Sequence, residues 1–156
     1  MSQFVALALL IGILSPTVCG NGASRGPVNG RFDEFGDIRC EDEYARLDNF
    51  AIQLQNEPQS KGVIIFYGGQ TFRGRLPKRG EAEARGARLK PYLVQRRGIP
   101  AERIVVINGG YAKEWRATLW MVPPGLSMPT GDSSDSIKQI RFRKGKVNPR
   151  DYRCRI

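Results

Sequence analysis

The sequence predicts an α/β chain with the element order β-α-β-α-β-β, and three observations carry that reading. Val63-Ile64-Ile65-Phe66-Tyr67 is a continuous apolar run of the kind found in a strand covered on both faces. Residues 41–56 and 81–96, one stretch on each side of it, repeat apolar residues at helical spacing. Residues 115–122 place Trp115, Ala117, Leu119 and Met121 two apart, which is the period of a strand.

The elements follow in order along the chain. Residues 32–38 alternate loosely and form a candidate first strand. In residues 41–56, Tyr44, Leu47, Ala51 and Leu54 recur at steps of three and four. Acidic residues fill the first turn of that helix, where the dipole favours them. Pro58 and Gly62 end it, the apolar strand at 63–67 follows, and residues 68–79 read as a polar loop. In the second helix, residues 81–96, Ala82, Leu89, Leu93 and Val94 can face the sheet, with Arg85, Arg88 and Arg96 outside. Pro91 lies within it, so the spacing predicts either a kink or an early turn between two shorter pieces. Gly98-Ile99-Pro100 closes the helix. Residues 103–108 form a third strand, Gly109-Gly110-Tyr111 a turn, and residues 115–122 a fourth strand stopped by Pro123-Pro124-Gly125. Residues 128–135 read as a linker and residues 137–147 as a short basic hairpin about Lys144-Gly145.

At 156 residues the chain has single-domain length. Residues 1–20 read as a signal peptide or an uncleaved anchor. An uncharged apolar run at 4–14 is broken by Pro16, with small residues around Cys19-Gly20, and no Lys or Arg precedes it. Residues 21–30, rich in Gly, Ser, Pro and Asn, read as a flexible spacer. The domain is expected over residues 31–125, with a linker and basic tail over 126–156. Export to a periplasm or cell envelope is the localisation this predicts. If Cys19 leaves with the leader, Cys40 and Cys154 remain as an even pair, either disulfide-bonded in an oxidising compartment or two separate buried thiols. The chain has no histidine, and its cysteines and acids do not cluster at ligand spacing, which argues against a metal site or a cofactor.

The net charge of +10 is unevenly placed. Counting along the sequence, residues 21–60 hold four basic and eight acidic side chains, residues 71–100 nine and two, and residues 137–156 eight and one. Two basic blocks of this kind suit an anionic partner, or else form a solvated face. A nucleic-acid partner fits poorly with the leader and with aromatics as few as Phe72 and Tyr111. With no histidine base and no phosphate loop, the chain reads as a binding module rather than an enzyme.

Several phrases fall in a familiar order: Phe32-Asp33-Glu34-Phe35-Gly36, Arg46-Leu47-Asp48-Asn49-Phe50-Ala51, Arg85-Gly86-Ala87-Arg88, Tyr92-Leu93-Val94, and Gly98-Ile99 ahead of Arg103-Ile104. Over residues 31–123 this order resembles the C-terminal, peptidoglycan-binding domain of outer membrane protein A and its relatives. The OmpA-like resemblance implies an α+β sandwich, a mixed sheet with helices on one face. It implies that Arg85, seven residues before Tyr92-Leu93, binds a stem-peptide carboxylate through its planar guanidinium. Arg88 is the neighbouring cation. The family also places an aspartate after the second strand to pair with an ammonium group. Here Tyr67-Gly68-Gly69-Gln70-Thr71 contains no acid, so Gln70 and Thr71 are the hydrogen-bonding candidates at that position.

Gly68-Gly69 and Gly109-Gly110 each follow a predicted strand. Either they let a ligand approach the backbone in a cleft with Tyr67, Tyr111 and Arg85, or they are tight turns. The expected partner is peptidoglycan or another anionic envelope polymer. The alternative is an interaction domain that has kept the fold, lost that ligand, and docks on an envelope protein or an anionic lipid surface.

Overall fold

The computed structural model describes residues 30–132, 137–152 and 154. The predicted leader, the spacer to residue 29 and the end of the predicted linker lie outside the described residues. Strand β1 is Arg31–Phe35, helix α1 Cys40–Asn56, β2 Lys61–Gly69, α2 Glu81–Gly86, α3 Leu89–Pro91, β3 Ile104–Ala112 and β4 Arg116–Val122. They form an α+β sandwich. The four strands make one mixed sheet in the order β1-β4-β2-β3, with β2–β3 parallel and the other pairs antiparallel.

The helices lie on one face of the sheet. Leu47, Phe50, Ala51 and Leu54 of α1 meet Ala82, Leu89 and Leu93 over Ile64, Phe66, Ala117, Leu119 and Met121. Every second residue of β4, with Trp115 before it, belongs to this core, as the period of two requires. The other face gathers Val63, Ile65, Tyr67 and Val122, so β2 is buried on both sides. No helix among the described residues is long and apolar enough to cross a membrane.

Proline decides how the second helix runs. The helix opened by Glu81 stops at Gly86, the chain turns at Ala87 and Arg88, and a new helix starts at Leu89. Pro91 thereby falls in a first turn, where its missing N–H costs nothing. The chain continues as a π-helix over Tyr92–Arg96. Arg103 closes α1 from outside. Its Nη2 donates to the carbonyls of Leu54, Glu57 and Ser60 at 2.7, 2.9 and 2.8 Å, satisfying oxygens that the helix end leaves orphaned.

Three expectations are corrected. Gly109-Gly110-Tyr111 is no turn, because β3 runs on to Ala112. The chain absorbs an extra residue there as a bulge, with Phe66 opposite Asn108 and Gly68 opposite Tyr111. Gly110 takes φ 91°, a conformation open to glycine, which makes the bulge possible. A second bulge lies in β1, where Arg31 and Asp33 face the adjacent residues Trp120 and Leu119. The basic hairpin at 137–147 does not form either. A 3₁₀ turn at Ile137–Gln139 leads into a strap whose Arg143 pairs with Lys78 in the distant loop 70–80. Finally, β1 ends at Phe35 rather than at residue 38.

Cys40 and Cys154 are joined by a disulfide, with Cα atoms 5.5 Å apart across 114 residues of chain. It ties the first residue of α1 to the end of the strap.

Candidate functional site

Arg85 sits on α2, on the helix face that packs against the end of the sheet. It is 2 % exposed, which corrects its expected place outside. Its guanidinium lies between two aromatic faces, 4.4 Å from the centre of Phe72 and 4.1 Å from that of Trp115. Nη2 donates to Asp37 Oδ1 at 2.6 Å. Asp37, in the turn before α1, also accepts from Arg73 Nε at 3.2 Å. Burial draws the Arg85 pKa down, and the Asp37 carboxylate opposes that shift. The side chain is therefore held by stacking and one ion pair, while Nη1 is buried without a hydrogen-bond partner among the described residues.

Gly68, Gly69, Tyr111 and Arg85 do come together, around a cavity of about 10 Å³ that Phe72, Glu81 and Trp115 complete. That is room for about one water. The glycines serve close packing inside the protein. A Cβ on Gly68 would stand 2.4 Å from a Tyr111 ring atom, and one on Gly69 2.7 Å from the Trp115 nitrogen. Neither the expected ligand cleft nor the alternative tight turns describes them, since both are strand residues. Gln70 and Thr71 are exposed and do not line the cavity.

Arg88, one turn after Arg85, points elsewhere. It grips Glu43 with two nitrogens, Nε at 2.8 Å from Oε1 and Nη2 on Oε2, and donates Nη1 to the Tyr152 carbonyl at 2.6 Å. Glu43 is 1 % exposed, a buried charge made tolerable by this pairing. On the outer side lies a groove of about 550 Å³ lined by Arg88, the stacked rings of Tyr44 and Tyr92, Pro91, Arg96 and Cys154. Acids at and around α1 pair with the second helix and the residue that follows it: Asp37 with Arg85, Glu43 with Arg88, and Asp48 with Arg97 at 2.5 Å. Complementary acidic and basic blocks were the signal for them in the sequence.

The loop over the cavity and the C-terminal strap bring the two basic blocks together. Arg143 N donates to Pro77 O at 3.0 Å and its Nε to Leu76 O at 2.9 Å, while Lys78 Nζ reaches Lys146 O at 3.0 Å. Arg79 lies over the Phe142 ring at 4.6 Å. Arg75, Lys78, Arg79, Arg143, Lys144 and Lys146 thus gather in one region. No ion pair joins any of the six to an acid among the described residues. Among the described residues no group of His, Cys, Asp and Glu could hold a metal ion.

No protein-family model matches the chain, and no curated protein matches it.

Proposed function

We propose that this is a non-catalytic cell-envelope module that binds an anionic wall component, peptidoglycan or another polymer of that charge, through the basic face shared by loop 70–80 and the strap. The observation that carries the reading is the meeting of the two basic blocks. Six cations from distant parts of the sequence converge without carboxylate partners among the described residues. Such a field attracts a polyanion and weakens with salt.

Co-sedimentation of the purified protein with purified peptidoglycan at low and high salt tests it, beside a triple variant Arg75→Gln, Lys144→Gln, Lys146→Gln. Retention at low salt that falls with salt and falls again in the variant supports the reading. Retention indifferent to both, or none at low salt, removes it.

A second reading rests on Nη1 of Arg85, which has no partner among the described residues. In it the arginine is a carboxylate receptor, as the family resemblance implies, and Asp37 stands in for the ligand carboxylate. Asp37→Asn should then increase retention on peptidoglycan at high salt. Unchanged retention in that variant would leave Arg85 a structural residue.

A further inference from the structure

The C-terminal strap covers the loop that covers Arg85. Tyr152 lies against Phe72, ring centres 6.3 Å apart, and Phe72 is itself one of the two rings that hold the Arg85 guanidinium. Phe142 meets Tyr111 edge-on at 5.8 Å, and Tyr111 walls the same cavity. Arg143 holds the carbonyls of Leu76 and Pro77. The described end of the strap is fastened by one covalent bond, Cys40–Cys154.

The bond is approached from the side of Cys154. Cys154 lines the 550 Å³ groove, which gives a small dithiol a path from solvent to this residue. Cys40 is the first residue of the 17-residue α1, where the helix dipole favours a departing thiolate and the first-turn acids Glu41, Asp42 and Glu43 oppose it. Cys154 Sγ stands 4.0 Å from Glu43 Oε1, a negative neighbour for a thiolate on either of the two bonded sulfurs.

We propose that Cys40–Cys154 is a redox latch: oxidised, it clasps the strap onto loop 70–80; reduced, it frees the strap, disperses the basic face and uncovers the Arg85 cavity. A thiolate of a small dithiol attacks Cys154 Sγ, the S–S bond breaks, and Cys40 leaves as a thiolate that takes up a proton. The second thiol of the reagent then displaces Cys154 and closes the reagent's own disulfide. Two electrons pass to the protein, which ends with two thiols. The loss of the basic face rests on the function proposed above, whereas the opening of the loop does not.

Hydrogen exchange of the purified protein, oxidised and after treatment with dithiothreitol, tests the latch. Amide exchange in residues 70–80 and 140–152 should rise by about tenfold or more on reduction, while the amides of β2 and β4 stay protected. Cys154→Ser should reproduce the change without reductant. Tyr152→Ala, with the disulfide intact, should loosen residues 70–80 in the same direction. Should Cys154→Ser fail to fold, the reduced protein and Tyr152→Ala still decide the matter. Exchange in 70–80 that does not rise, or that rises only together with the whole sheet, overturns the latch. Peptidoglycan retention measured on the same samples separates the two proposals. Retention that falls as exchange rises supports both. Exchange that rises while retention holds supports the latch and sinks the basic-face reading.

Discussion

Arg85 shows what a single residue can hide. Its guanidinium is enclosed by Phe72, Trp115 and Asp37. Removing the carboxylate would strand a buried charge, an effect of about 3 kcal/mol when one partner of a buried pair is lost. Asp37→Ala should therefore lower unfolding stability by about that amount in urea denaturation. A change near zero would mean that ring stacking alone carries the arginine. The position of Arg85 was legible in the spacing of the second helix, but its burial was not. Helical periodicity puts an arginine outside by default, and nothing local reveals that Asp37 and two aromatic rings await it. Gly68 was legible as a special position, for a reason the sequence cannot supply: the Tyr111 ring pressed against its Cα.

At the scale of elements, local signals were clear where packing is local. The two-residue period of β4 and the helical repeat of α1 name the faces the core uses. The break before Leu89 was one of the two outcomes Pro91 allowed. The strap was misread because its partner is loop 70–80 rather than its own neighbour in sequence, so a Lys-Gly pair that suits a hairpin never meets a second strand. The cap on α1 was likewise invisible, since Arg103 reaches it from the start of β3. Arg103→Ala should cost about 2 kcal/mol, because the α1 and Ser60 carbonyls it holds lose their donors. Exchange should accelerate in the final turn of α1. If α1 keeps its protection and its stability, those carbonyls are adequately served by water.

For the whole molecule, the split of charge was read as a sign of a partner, and part of it is spent inside the fold. Three acids of the first half pair with Arg85 and Arg88 of the second helix and with Arg97 just past it, leaving the surplus on the loop and strap. The five tyrosines make a second molecule-wide statement. Tyr44, Tyr67, Tyr92, Tyr111 and Tyr152 all have pKa values raised above 10.0, first by burial and then by neighbouring acids such as Glu43 for Tyr44 and Glu81 for Tyr152. Groups held neutral in the fold favour it fully below the unfolded value. That contribution fades as pH rises through the higher folded values. The urea midpoint should thus hold up to about pH 9 and drop as pH rises through about 10 and beyond, and tyrosinate absorbance should appear later in the native chain than in the denatured one. Coincident titration of the two states would contradict it.

The two bulges bear on how this domain behaves in a crowd. With the order β1-β4-β2-β3, β1 and β3 each have one side of their backbone without a strand partner among the described residues, and each carries one of the irregularities. A foreign strand zips onto an edge only where donors and acceptors recur at even intervals. The extra residue in each outer strand throws that rhythm out, so the sheet has two borders and neither is an invitation to grow.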